Sequence, residues 1–534
     1  MTVLTSLGMG FSPILCHAHA LDPQLDCKST AHEFIAPFDA VAAPLVQTQS
    51  GQLSGASDGQ VLSFEGIPYA APPVGPLRWR PPAPPTPWQG VRDATKFGAS
   101  CEQARRDPTV VIPWTAEYTS KPSFSEDCLF LNVWTPALHP TGKLPVVVWI
   151  HGGGFDHGSA EVPVFRGNHL AQQGIVVVSI NYRLGLFGFL ADSLLDAEQG
   201  SSGEYGMMDQ VAALEWVKAN IARFGGDPAQ VTIEGQSAGA IAVHHLLAAP
   251  SAEGLFARAI AESNSWADST LLPRERAEAV GEKLVSLTGA TTLEALRAVP
   301  ADQLLALQAD PRLGDHVSFF PVDDGKFIPE GSKERSDVPV LLGSNHDEAS
   351  AFGPTWQIST TQAYQALLDQ RLAPLSARFA ALYPAQDDAA VPAAVRQLLS
   401  DSASAGVIAW SKARDSHAAA AYGYRFTHPE PGPLAVRFAT FHSAEVPYVF
   451  GTLEYGHRSF TAKDHAISRQ LQSYWVNFIR TGNPNGPGLM TWPQLDSGNF
   501  MRLGDKQKVT PLLSTEQRDA FSDWLAAGGK IGLF

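Results

Sequence analysis

A serine hydroxyl attacks a carbonyl only when a base takes its proton and nearby donors receive the oxyanion, so three kinds of group must be found together. Gly235-Gln236-Ser237-Ala238-Gly239 fits G-x-S-x-G. In that pattern the serine sits on a sharp strand-to-helix turn, and the glycines remove Cβ atoms that would strike neighbouring backbone. The flanks suit it: Val231-Thr232-Ile233 reads as a strand and Ala238 to Leu247 as a helix, whose N-terminus favours negative charge beside the serine. Upstream, His151-Gly152-Gly153-Gly154-Phe155 follows the apolar run Leu144 to Ile150. Consecutive glycines after a buried strand expose backbone N–H groups at the carboxyl edge of a sheet. Gly153 and Gly154, joined by the N–H of Ala238, are the candidate oxyanion donors. Either motif alone is also what an ordinary tight turn looks like; the two in this order point to acyl transfer.

The base must be a histidine, and the chain has sixteen. In this arrangement the chain order is Ser, then Asp or Glu, then His, which leaves those after Ser237. His442 lies in a polar stretch, Phe441-His442-Ser443-Ala444-Glu445-Val446-Pro447-Tyr448, within apolar surroundings. His417, His428, His457 and His465 are rivals that spacing does not exclude. The third member orients the imidazole and stabilises its cation. Asp347 and Glu348 follow Val340-Leu341-Leu342-Gly343, where a strand ends, and on chemistry alone either serves. Such chemistry requires no metal or organic cofactor, and the four cysteines, at 16, 27, 101 and 128, include no C-x-x-C pair of the kind zinc sites use.

These residues need a scaffold. Leu144 to Ile150, Ile175 to Ile180, Val231 to Ile233 and Val338 to Leu342 read as strands apolar on both faces, the pattern of a parallel sheet covered on both sides. Between the second and third, Tyr205 to Phe224 reads as a helix with Val211, Leu214, Val217, Ile221 and Phe224 on one face. Gly225-Gly226 stops it and Asp227-Pro228 turns the chain. Strand, helix and strand in that order give the α/β class, a large mostly parallel sheet flanked by helices. The proline-rich stretch Gly51 to Trp88 reads as short strands and ordered loop. Ala- and Leu-rich stretches at Arg274 to Leu307 and Thr361 to Ala413 read as helical insertions of the kind that cover an active-site mouth. Ser514-Thr515-Glu516-Gln517 fits a capping box opening a last helix. No repeat or low-complexity linker interrupts the chain, so residues 21–534 read as a single domain.

Bulk properties narrow the partners. The 534 residues carry a formal charge of −15 and no Lys/Arg-rich run, so the surface repels a polyanion and nucleic acid is excluded. No apolar run reaches the ~20 residues that span a bilayer, which excludes an integral membrane segment. Leu4 to Cys16 is mostly apolar, and Ala18-His19-Ala20 offers a small-residue cleavage site; residues 1–20 therefore read as a signal peptide, although no Lys or Arg precedes Lys28. That reading places the protein outside the cytoplasm, secreted or periplasmic. Cys101 and Cys128 flank a stretch rich in Pro, Ser and Thr. It suits a disulfide-closed loop in an oxidising compartment, and two buried thiols otherwise.

The sequence also resembles the type-B carboxylesterase and cholinesterase family from about Thr48 to Phe478. Phe64-Glu65-Gly66-Ile67-Pro68-Tyr69-Ala70 with Leu77-Arg78-Trp79 is similar to its early segment, and Ser125 to Asn132 to its second signature. Asn181-Tyr182-Arg183, Gly206-Met207-Met208-Asp209-Gln210 and Phe224-Gly225-Gly226-Asp227-Pro228 complete the run before the nucleophile. The resemblance implies an α/β-hydrolase that cleaves a small-molecule carboxylic ester through an acyl-enzyme. It implies Glu348 rather than Asp347 as the acid, His442 as the base, an oxyanion hole of Gly153, Gly154 and Ala238, and a Cys101–Cys128 disulfide. The alternatives are a non-catalytic binding protein on the same scaffold, or a carbamate or amide hydrolase. The chain departs from the family at three places. Gln236 replaces the usual Glu beside the serine. Trp114 is off the spacing of the choline-stacking tryptophan. Ser263-Asn264-Ser265-Trp266 stands where Ser-Gly-Ser-Pro is usual, and Trp266 there would narrow the acyl pocket.

Overall fold

Leu144-Pro145-Val146-Val147-Val148-Trp149-Ile150 has no polar side chain, and a strand like that is stable only with both faces covered. In a computed structural model of the chain it lies near the middle of an eleven-stranded sheet. The structure describes residues 43–531 apart from 106–110, 122, 264–270, 315–318, 415–416 and 496–497. The signal-peptide reading, Cys16, Cys27 and the Asn264-Ser265-Trp266 departure lie outside those residues.

The strands in chain order are β1 (Ala56–Ser57), β2 (Leu62–Pro68), β3 (Phe130–Thr135), β4 (Leu144–Ile150), β5 (Val176–Ile180) and β6 (Gly226–Gln236). They continue as β7 (Arg258–Glu262), β8 (Val340–Asn345), β9 (Ala421–Phe426), β10 (Phe500–Leu503) and β11 (Lys508–Thr510). Their order across the sheet is β11-β10-β9-β8-β7-β6-β4-β5-β3-β2-β1. From β10 through β5 every neighbouring pair is parallel, and antiparallel pairing is confined to the two ends. Chain order reverses between β4 and β6: β5 lies on one side of β4 and β6 on the other. Loops leaving adjacent parallel strands at such a switch point diverge and open a crevice at the carboxyl edge. The glycine run after β4 and the serine after β6 are those two loops.

Helix α1 (Tyr205–Asn220) ends four residues before the expected stop. The next turn tightens to a 3-10 helix over Ile221–Phe224, and Gly225 closes it at φ 85°. Val211, Leu214, Val217, Ile221 and Phe224 are buried as the periodicity requires. Asp227-Pro228, expected as a turn, lies inside β6, where the register to β4 shifts between Gly226 and Val231. Proline has no N–H for the ladder, so the strand is irregular there instead of ending. Val146 to Ile150 are fully buried, each side chain contributing roughly 1.5–3 kcal/mol. Helix α2 (Ala238–Ala248) and α1 cover one face of the sheet; α3 (Ala462–Thr481) covers the other, placing Trp475 and Ile479 against it. The last helix, α4 (Thr515–Ala526), carries both reciprocal bonds of its capping box: Gln517 N–H donates to Ser514 Oγ at 3.2 Å, and Ser514 N–H to Gln517 Oε1 at 2.9 Å.

Candidate active site

Ser237 stands between the last residue of β6 and the first of α2, at φ 59° and ψ −124°. A non-glycine residue there is strained, and the surroundings must hold it. Two contacts explain the glycines on either side. A Cβ on Gly235 would lie 2.3 Å from Gly239 O, and one on Gly239 would lie 2.0 Å from Ile150 O. The turn closes only because α2 passes directly over the end of β4. Ser237 N–H donates to Glu262 O at the end of β7 (3.0 Å), which fixes the peptide before the serine.

The glycine run follows β4 beside this turn. Gly153 adopts φ 113° and Gly154 φ 64°, and the Gly153 carbonyl accepts from Asp156 N and His157 N at 3.1 and 3.0 Å. Ala238 N–H belongs to the first turn of α2, where no intrahelical acceptor exists. His151 beneath them is held neutral: burial pushes it down to about 4. Its ring stacks on Tyr182 at 4.5 Å, and Tyr182 Oη donates to His151 O at 2.8 Å.

β8 ends at Asn345 and a tight turn carries Glu348 inward. His442 Nδ1 lies 2.5 Å from Glu348 Oε2, and both side chains are buried. Asn345 N–H donates to Glu348 Oε1 at 2.6 Å. The Asn345 amide donates to Phe441 O at 2.8 Å and to Glu445 Oε2. One asparagine thus ties the acid loop to the histidine loop. Asp347, the other acid in the motif, points away, toward His346 at 3.1 Å and Arg396 at 3.5 Å. Of the rival histidines, His428 is clamped between Asp505 at 2.5 Å and Asp464 at 2.8 Å, and His457 and His465 are exposed.

The remaining ring nitrogen, His442 Nε2, lies 3.1 Å from the Gln236 side-chain nitrogen. The Cys101–Cys128 disulfide is formed, and the loop it closes brings Trp114 to the histidine. Trp114 Nε1 donates to His442 O at 3.1 Å and to Ser443 Oγ at 3.3 Å, and its ring meets that of Phe352, which in turn lies 5.1 Å from the imidazole. Off the expected spacing in sequence, Trp114 nevertheless reaches the site. Three further acids lie buried on the same side. Glu445 accepts from Ser263 Oγ at 3.0 Å and is pushed up to about 7 by burial, then by the charge of Glu348. Glu234 and Glu262, on neighbouring strands, are both held above the ordinary carboxylate range by burial; Glu262 accepts from Trp475 Nε1 at 2.8 Å.

Asn345, Glu445, Trp114 and Phe352 were not singled out by sequence as parts of the site. For two of them a signal existed: Asn345 and Glu445 are hydrogen-bonding residues standing three positions from Glu348 and His442.

Comparison with known proteins agrees with this geometry. The model of the carboxylesterase family matches residues 42–521. The chain belongs to that family. This carboxylesterase is 38% identical over 488 residues to the fumonisin B1 esterase of Sphingopyxis macrogoltabida, with 86% of each chain covered. It is 36% identical over 470 residues to the para-nitrobenzyl esterase of Bacillus subtilis, covering 84% of this chain and 92% of that one. To human cocaine esterase it is 34% identical over 505 residues, covering 85% and 86%. A solved PNB esterase structure superposes with a TM-score of 0.76 at 34% identity, over 90% of this chain and 100% of that one. The carboxylesterase is therefore an α/β-hydrolase and a carboxylic ester hydrolase.

Proposed function

We propose that the carboxylesterase works through an acyl-enzyme on Ser237, with His442 as base and Glu348 as its orienting acid. The observation that carries this is the 2.5 Å contact between His442 Nδ1 and Glu348 Oε2, buried at the carboxyl edge where β6 delivers the serine. Glu348 accepts a hydrogen bond from Nδ1–H, which keeps the proton on that nitrogen and leaves the Nε2 lone pair to take the proton of Ser237 Oγ. As the serine attacks, the ester carbonyl oxygen becomes an oxyanion, and the N–H groups of Gly153, Gly154 and Ala238 receive it. His442 then gives its proton to the leaving alcohol. Water, activated the same way, attacks the acyl-serine and releases the acid.

The substrate in this reading is a small carboxylic ester, in keeping with relatives whose names specify a fumonisin B1, a para-nitrobenzyl and a cocaine esterase. A p-nitrophenyl ester series from acetate to palmitate, run beside Ser237→Ala, tests it. Turnover on short chains that the variant loses while keeping its thermal unfolding profile is expected; undiminished hydrolysis by the variant would overturn the reading. Export belongs to the same proposal, and the Cys101–Cys128 disulfide supports it, since such bonds persist in oxidising compartments. N-terminal sequencing of the mature protein should begin after Ala20; recovery of residues 1–20 on the mature chain would refute cleavage.

A further inference from the structure

Gln236, the residue before Ser237, is buried, and its side-chain amide reaches the imidazole. It lies across Gly152: a Cβ there would come 2.6 Å from Gln236 O and 3.1 Å from Gln236 Oε1. Gly152 therefore makes the room in which the amide extends, from the oxyanion turn at one end to His442 at the other.

The direction of the hydrogen bond follows from its partners. Glu348 Oε2 lies 2.5 Å from His442 Nδ1, and a carboxylate accepts, so the ring proton is on Nδ1. In the neutral ring, the form a general base needs, Nε2 then carries a lone pair and accepts. The amide nitrogen of Gln236, at 3.1 Å, is the donor. With the amide reversed, Oε1 and the Nε2 lone pair would face each other as two acceptors. Among the described residues, then, the hydrogen-bond partner of Nε2 is the Gln236 amide and not Ser237 Oγ.

A donor to Nε2 bonds the neutral imidazole and opposes the imidazolium, whose Nε2–H would point at another N–H. We infer that Gln236 is a positioning residue that latches resting His442 in its unprotonated, Nδ1–H form and yields Nε2 to the serine as substrate enters. This rests on the reading of His442 as the base. The family's usual glutamate would do the reverse: a carboxylate accepts from Nε2–H and favours the cation. The other groups around the ring are Glu348 at Nδ1, Glu445 three residues on, the neutral His151 across the turn, and the Trp114 and Phe352 rings. Glu234 and Glu262 lie on the sheet face below. Substitution at 236 leaves all of these in place.

The test is the pH profile of kcat/KM on p-nitrophenyl acetate for the wild type, Gln236→Leu and Gln236→Glu. The Leu variant loses the donor without gaining charge. Its acidic limb should move to higher pH by about half a unit, a roughly threefold loss of kcat/KM below the limb, with a smaller change on the plateau. The Glu variant should move at least as far. A Leu profile that superimposes on the wild type, or moves to lower pH, would overturn the latch. Ser237→Ala and His442→Gln keep this failure separate from failure of the catalytic reading. If both retain turnover, the catalytic reading falls; if both lose it while the Leu limb stays put, only the role of Gln236 falls.

Discussion

Two parts of the interior bury carboxyl groups in opposite ways. Among the strands of the first half, two acids are held by arginines. Arg183 meets Asp209 through two bonds of 2.7 Å, with a third from Arg183 N–H at 3.0 Å, and Arg78 grips Glu126 with two guanidinium nitrogens. On the face beside the serine turn, Glu262 and Glu445 lie fully buried with neutral donors instead, Trp475 for the first and Ser263 and Asn345 for the second, and Glu234 is buried on the strand next to Glu262. The first arrangement keeps charge by pairing it. The second holds protons, because an isolated carboxylate out of water is too costly. The unpaired acids make the fold around the site sensitive to pH.

The largest effect should come from the one acid on that face whose partner is a histidine. Glu348→Gln removes the acceptor that fixes the Nδ1 proton and should lower kcat on p-nitrophenyl acetate by roughly 10³–10⁴ with little loss of stability. A variant within tenfold of wild type would show that the acid only packs. The Arg183–Asp209 pair should respond in the opposite manner. Arg183→Met leaves Asp209 buried without its cation and should cost about 3–5 kcal/mol in urea unfolding. Adding Asp209→Leu should recover much of that; a double variant no better than the single would mean the pair contributes shape rather than charge.

The unpaired acids give a pH signature. Glu445 holds its proton to about pH 7 in the folded protein, against 4.5 for the ordinary group. Folding therefore takes up a proton in that window, so stability falls as pH rises through it and levels off above. The loss across the window is on the order of 3 kcal/mol. Glu445→Gln should flatten the slope of unfolding free energy between about pH 4.5 and 7; an unchanged slope would remove Glu445 from the account. The smallest effect expected is at Trp114→Phe, which loses the bond to His442 O but keeps the ring, costing about 1 kcal/mol, or severalfold in kcat/KM. An unchanged kcat/KM would make Trp114 a wall and nothing more.

Much of the scaffold was legible because period and composition are local. Val146 to Ile150 announce a doubly covered strand, and Val211, Leu214, Val217 and Ile221 announce a helix face. Pro228 misled for a local reason as well, since proline marks turns and bulges alike. The choice of Glu348 over Asp347 came from the family resemblance, because the chemistry of the two residues allows either. Both acids are adjacent in sequence, and only the turn after Asn345 sends one inward to His442 and the other toward Arg396.

The sequence by itself determined the parallel α/β scaffold, the strained serine turn and the glycine run, because each depends on residues within about ten positions of one another. The tertiary structure alone decided what meets the imidazole. Glu348, Trp114 and Gln236 reach His442 from 94, 328 and 206 residues away. Their convergence follows from strand order at the switch point and from the disulfide loop. Neither leaves a periodic trace in the chain, because a contact across the sheet constrains geometry at one atom pair and not the pattern of either segment.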